Sequence, residues 1–241
     1  MPITWWSQLI WLSTIGIGSF LLSWVFADLL HIARTAYVAI FAVVSGAFLL
    51  GYLQWTNIDW GTFINHDWLW GLILAVATGL LLTASHAWFL RWQSLALLPP
   101  PGPRGMRLVN LLLVDGIANG AAEALLLSVL PVLIVWQAFS TIAWFQQWPG
   151  TAFASVIAFV ASLFVIGLHH LGFRELRGYL IIFVILANAA FTLVYLLTMN
   201  PLAAVIAHIM MHIGAVFQRV EVPIHQEKRA SADLRLRATI P

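Results

Sequence analysis

The sequence contains no cysteine and very little charge: only 8% of its 241 residues are Asp, Glu, Lys or Arg. The first absence excludes a disulfide framework, a thiolate metal site and a cysteine nucleophile. The second excludes an ordinary soluble domain, in which about a quarter of residues are charged. The formal net charge is +2, and its basic residues sit in short loops and a tail, so nucleic acid is given no footprint. Internal repeats and low-complexity segments are also absent.

What is present is apolar. The chain is 62% hydrophobic with a mean hydropathy of +0.94, which reads as an all-α, polytopic transmembrane bundle. At about 20 residues per span its length suits six to eight crossings and leaves no second soluble domain. Seven apolar runs can be drawn, at about 7–27, 36–54, 68–90, 108–137, 151–170, 179–197 and 201–217. They define one transmembrane domain over 1–217, followed by a polar tail over 218–241. The N-terminal Met-Pro-Ile-Thr-Trp-Trp lacks the positive region of a cleavable signal peptide, so the first run is expected to be a retained span. Between the third and fourth runs, Leu98-Pro-Pro-Pro-Gly-Pro103 forbids helix and marks a loop.

Charge placement gives an orientation. Every Lys and Arg falls in 28–35, 91–107, 171–178 or the tail, and none in 55–67, 138–150 or 198–200. With seven spans these sets lie on opposite sides, so the positive-inside rule places the N-terminus outside and the C-terminus in the cytoplasm. Tryptophans 5, 6, 55, 60, 68, 70, 136, 144 and 148 cluster on the outer side, as an interfacial belt does. In the tail, Arg219, Lys228, Arg229, Arg235 and Arg237 alternate with acids, so attraction to an anionic leaflet is expected to be weak.

The candidate functional residues are the polar ones that the bilayer should reject. His208 and His212 lie in the last run, four residues apart, which puts both imidazoles on one helix face. By helical rise they lie about 10–17 Å below the outer end of their span. Glu123, in Gly120-Ala-Ala-Glu-Ala-Leu-Leu-Leu-Ser-Val-Leu-Pro131, has no basic residue within a helical turn. Such a carboxylate either is neutral and hydrogen-bonded or finds a partner on another helix. Asp115 lies nearer the inner surface and reads as structural. His169 and His170 end the fifth run, and only one of them can face a shared site; a cap or dipole role also accounts for either. Asn188 and Asn200 read as hydrogen-bonding residues between helices. Solvated or interfacial roles suffice for His31, His66, His86 and His225.

One Glu, one His and a His-xxx-His on three different spans resemble the CAAX-protease and bacteriocin-processing (CPBP, or Abi) family of intramembrane proteases. The resemblance covers about Leu111 to Phe217, giving a CPBP-like core at about 108–217. That family carries Glu-Glu-xxx-Arg on one span, Phe-xxx-His on the next and His-xxx-Asn on a last one. Glu123 matches the first Glu, His170 (preferred to His169) the second motif, and His208 the third. The chain departs at Ala124 for the second Glu, Ser128 for Arg, Ile166 for Phe and His212 for Asn.

The resemblance implies a glutamic-type intramembrane endopeptidase with Glu123, His170, His208 and His212 as catalytic residues. Glu123, helped by one histidine, takes a proton from the attacking water. His208 and His212 hydrogen-bond the oxyanion, a role in which a neutral imidazole can replace Asn. The implied substrate is a membrane-associated protein or peptide, the implied location the bilayer of a bacterial plasma (inner) membrane, and no cofactor is required. Three histidines and a Glu are nonetheless a competent zinc set, although the spacing is not His-Glu-xx-His. The lost motif residues motivate an alternative: an inactive CPBP-like subunit serving as scaffold or binding partner among other membrane subunits. Histidines in a membrane also suit a haem or pigment macrocycle, a third reading. Transport ranks lowest, because few polar residues line the spans.

Overall fold

The computed structural model describes residues 4–59, 61, 68–93, 104–178 and 180–218. These residues form helices joined by short turns, with no strand among them. We label the principal helices α1 (Trp5–Leu29), α2 (Arg34–Thr56), α3 (Trp68–Gln93), α4 (Met106–Phe139), α5 (Trp148–Leu171), α6 (Leu180–Thr198) and α7 (Pro201–Gln218). Six have the length and hydropathy to cross a membrane, and α7 is a shorter apolar helix. Each apolar run expected from the sequence is a helix, displaced at its ends by a few residues. The proline-rich connector, the tail from Arg219, His66 and His225 lie outside the described residues.

Side-chain distribution explains why these helices associate. On α5, Ala154, Ala158, Ser162, Val165 and His169 are buried, whereas Phe153, Val156, Val160 and Phe164 are exposed. Small and polar residues thus face the bundle while large apolar ones face outward, the arrangement expected where lipid is the solvent and close packing drives association. Two ion pairs tie helix ends together on the expected inner side. Arg34 donates from Nε to Asp115 Oδ1 at 2.6 Å, and Arg177 donates from Nη2 to Asp28 Oδ2 at 3.1 Å. Arg177 also donates to the carbonyls of Leu171 and Gly172, satisfying orphan acceptors where α5 ends.

α4 is the central helix. In its most apolar stretch 67% of residues are buried, against 17–39% in the other five long helices. Its 34 residues at about 1.5 Å each span roughly 50 Å, well beyond a hydrocarbon core of about 30 Å. The backbone is α-helical at Asn119–Glu123 and π-helical on either side, at Leu112–Ala118 and Ala124–Val129. Pro131 supplies one cause. It has no N–H to offer the Leu127 carbonyl one turn earlier, and its ring crowds that carbonyl. Widening the preceding turn relieves the crowding, and Ser162 on α5 donates its hydroxyl to the freed Leu127 oxygen at 2.8 Å. Ser162 also bonds Thr192 on α6 at 2.8 Å, and Thr192 bonds Ser128 at 3.3 Å. A buried hydroxyl ladder therefore joins α4, α5 and α6 where α4 departs from ideal geometry.

Among the described residues, the Asn188 and Asn200 side chains bond locally, not between helices as the sequence suggested. The Asn188 amide donates to Val184 within its own helix, and Asn200 accepts from the Leu202 N–H, capping α7. Asn200 precedes Pro201 at the helix start, where an oxygen-bearing cap outcompetes a contact across the bundle.

The ladder yields a double-mutant prediction. Ser162→Ala should lower thermal stability in detergent by the equivalent of about 0.5–2 kcal/mol. The loss should shrink in a Pro131→Ala background, where residue 131 regains an N–H for the Leu127 carbonyl. Equal losses in both backgrounds would show that the carbonyl is not what Ser162 serves.

Candidate functional site

The site forms where α7 lies against α4. Helices carrying ordinary side chains pack about 8–10 Å apart. Glycines let α7 approach α4 and α3 more closely. A Cβ at Gly120 would stand 2.9 Å from the Ile209 Cα, and one at Gly116 3.0 Å from Ile213 Cγ1. On a neighbouring face of α7, a Cβ at Gly79 of α3 would stand 2.5 Å from the Met210 Cβ and 2.9 Å from the Ala207 carbonyl oxygen. α7 is therefore packed closely on both α4 and α3 at the level of its histidines.

Glu123 occupies the end of the short α-helical stretch of α4 and points at α7. Its Oε2 accepts from His208 Nε2 at 3.2 Å and from His212 Nε2 at 3.3 Å. Its Oε1 accepts from the Asn119 amide at 2.9 Å, one turn back on the same helix. Three N–H donors converge on two oxygens, so the carboxylate serves as acceptor throughout. His208 is fully buried, and Glu123 and His212 each retain 14% side-chain exposure. The imidazoles lie nearly parallel, 5.3 Å apart at 18°, and Phe191 of α6 stacks on His208 at 4.2 Å. Ring stacking thus fixes the orientation of the histidine that the carboxylate alone would let rotate.

His208 Nδ1 has no hydrogen-bond partner among the described residues. The carboxylate selects the tautomer. With Nε2–H donated to Glu123, Nδ1 is a bare acceptor; the other tautomer would turn an Nε2 lone pair on the carboxylate and leave an Nδ1–H donor buried.

The sequence-derived set of four divides. Glu123, His208 and His212 offer ligand atoms that all lie within 4.8 Å of one another. His170 is close enough to interact electrostatically with Glu123 and His212, but its Nδ1 donates to the Ile166 carbonyl of its own helix at 2.9 Å. His169 faces α1, where its Nδ1 bonds the Ser19 carbonyl at 3.2 Å and Ser23 donates to the His169 carbonyl at 2.6 Å. Asp115 is tied to Arg34. The sequence reading missed Asn119. An amide four residues before a buried acid occupies the same helix face, and that spacing was the available signal.

No family model matches the chain, and neither a curated protein nor a solved structure does.

Gly120→Ala should drive a methyl into the α7 backbone and lower stability by the equivalent of about 1–3 kcal/mol. At Gly46, nothing lies within 4 Å of an added Cβ, and the same substitution should be neutral or stabilising, since Ala exceeds Gly in helix propensity by about 1 kcal/mol. Thermal unfolding of both variants in one detergent measures the contrast.

Proposed function

We propose that this chain is an intramembrane endopeptidase of the CPBP type, in which Glu123 activates water against a membrane-associated peptide. The observation that carries the reading is the sharing of Glu123 Oε2 by His208 and His212 within apolar helices. A carboxylate at such depth is expensive, and one placed against two N–H donors is equipped for both halves of amide hydrolysis.

The chemistry follows from the contacts. Water attacks the scissile carbonyl carbon while its proton passes to Glu123. As Glu123 accepts that proton it becomes a poorer acceptor, and the Nε2–H groups of His208 and His212 are released towards the oxyanion developing beside it. Collapse of the tetrahedral intermediate breaks the C–N bond, and the proton returns from Glu123 to the leaving amine. Asn119, by holding Oε1, keeps the reacting Oε2 turned to α7. His170 stands at the inner side of the site as the second-motif histidine, within electrostatic reach of Glu123.

In this reading all seven helices span the membrane, with the N-terminus outside and the C-terminus in the cytoplasm of a bacterium, consistent with the one-sided Lys and Arg. The absence of cysteine makes the orientation testable. Single cysteines introduced at Gln147 and at Glu175 should react with an impermeant maleimide from the outside and the inside, respectively.

A specific observation favours a second reading, an inactive scaffold of the same fold. Ala124 and Ser128, where the family carries Glu and Arg, are fully buried, and Ser128 belongs to the hydroxyl ladder. Packing has taken over the space of the missing charged pair. Cleavage of a quenched transmembrane-peptide library separates the two. Glu123→Gln should reduce cleavage by about 100- to 10,000-fold and His212→Ala by about 100- to 1,000-fold. His212→Asn, which restores an N–H donor, should recover part of the His212→Ala loss. Absence of cleavage by folded wild-type protein across the library would favour the scaffold.

A further inference from the structure

The distances around Glu123 carry a second meaning. Charge-assisted N–H···O contacts are ordinarily about 2.7–2.9 Å long, whereas both histidines stand farther off, at 3.2 and 3.3 Å. A zinc ion holding nitrogen and oxygen ligands at about 2.0–2.1 Å in a tetrahedral set separates neighbouring ligand atoms by about 3.3 Å. The Nε2···Oε2 separations are therefore those of two edges of such a tetrahedron, and the three ligand atoms lie within 4.8 Å of one another. Two imidazoles and a carboxylate are a donor set suited to zinc, and with no cysteine in the chain nothing diverts the preference towards a thiolate-selecting ion.

We propose that Glu123, His208 and His212 bind a divalent transition-metal ion of the zinc class reversibly, and that the bound ion blocks hydrolysis. The blocking half rests on the endopeptidase reading; the binding half stands without it. Blocking follows from the role of one group. A carboxylate that coordinates the ion through the Oε2 facing α7 is a far weaker base for the proton of water, because the charge of the ion lowers its proton affinity, and the same ion occupies both imidazole Nε2 atoms.

Reversibility follows from what surrounds the ligands. Coordination through Nε2 moves the ring proton of each histidine to Nδ1. A resident metal site normally gives that N–H an acceptor, and loss of such an outer partner weakens binding by about 10- to 100-fold. His208 Nδ1 is buried without an acceptor among the described residues. The arrangement suits an ion that comes and goes better than one retained as a structural or catalytic fixture. Asn119 is the outer partner that is provided, on the carboxylate side. His170 is outside the tripod by distance: among the described residues the ligand atoms that gather within 4.8 Å of one another come from Glu123, His208 and His212.

The test uses the full-length chain in nanodiscs, stripped with a chelator, with Co(II) as a visible probe and zinc as its competitor. Wild type should develop the visible bands of a tetrahedral Co(II) site and lose them on addition of zinc. Glu123→Gln and His212→Asn, both close in shape to the native side chains, should weaken binding by at least about 100-fold, beyond the loss of any outer partner. His170→Ala should leave the Co(II) spectrum intact. On the peptide library, zinc should suppress wild-type cleavage and a chelator restore it, whereas the residual cleavage of His212→Asn should resist zinc. Failure of folded wild type to give Co(II) bands, or retention of the bands by both tripod variants, would overturn the binding. Loss of the bands in His170→Ala would overturn the three-residue assignment. Cleavage that requires zinc would overturn the blocking role. Absence of cleavage with and without chelator would count against the endopeptidase reading and the blocking claim, while the Co(II) titration still decides the binding.

Discussion

The close approach of α7 to α4 is the constraint on which the rest of the structure depends. In lipid no hydrophobic gain draws two apolar helices together, so contact must come from backbone proximity and polar bonds. Gly116 and Gly120 on α4, with Gly71 and Gly79 on α3, provide the proximity by leaving α7 no side chains to climb over. The Glu123 carboxylate, shared by His208 and His212, provides the bonds. Each half needs the other. Without the glycines α7 would be held farther from α4 and α3, and without the imidazoles a buried acid would lose its partners on α7, an arrangement membranes penalise by several kcal/mol.

α4 has a second task, because the helix that presents Glu123 also contains Pro131. The proline frees a carbonyl of the fully buried Leu127, and α5 and α6 answer with Ser162 and Thr192. This places a hydroxyl ladder directly beyond Glu123 along α4 and fixes the α/π junction at which the acid projects. The positions after Glu123 are consequently committed to packing: Ala124 and Ser128 are fully buried. α4 offers no further charged group in the turn after Glu123, so the groups that meet its carboxylate are the α7 histidines and Asn119.

Much of this was legible from side-chain chemistry and spacing. The helical runs followed from hydropathy because lipid leaves an isolated backbone few alternatives to helix. His208 and His212 were visible as a pair because four residues is one turn, and Glu123 stood out as an unpaired charge. What could not be read was which group met which. Glu123 sits midway along a helix longer than the bilayer, so residue counting gave no depth, and the π-helical stretches shift the phase that a regular period would assign. Asp115 showed the same difficulty: its partner Arg34 is distant in sequence and met only through the packing of α2 on α4. At the end of α5, adjacent histidines necessarily point apart. Their assignment needed the neighbours, with His169 held by the Ser19 carbonyl of α1 and His170 by its own helix.

The chemistry of the site turns on a single oxygen. Glu123 Oε2 is the acceptor for both imidazoles, the atom able to take a proton from water and the atom best placed to ligate a cation. The last two roles compete, because the charge of a bound cation lowers the affinity of the same oxygen for a proton. Asn119 holds Oε1 whichever role is being played, and the Phe191 stack holds His208 in plane. The fixed parts of the site thus orient its groups, while the identity of the occupant decides what they do. In the proposed endopeptidase, a peptide carbonyl with water beside it would call on Glu123 as base and on the imidazoles as donors. In the proposed metal-bound state a divalent ion would call on all three as ligands, and moving the His208 proton to a position without an acceptor among the described residues would keep that state from becoming permanent. The two outcomes share one geometry because the edge of a zinc tetrahedron and a long N–H···O contact are nearly the same length.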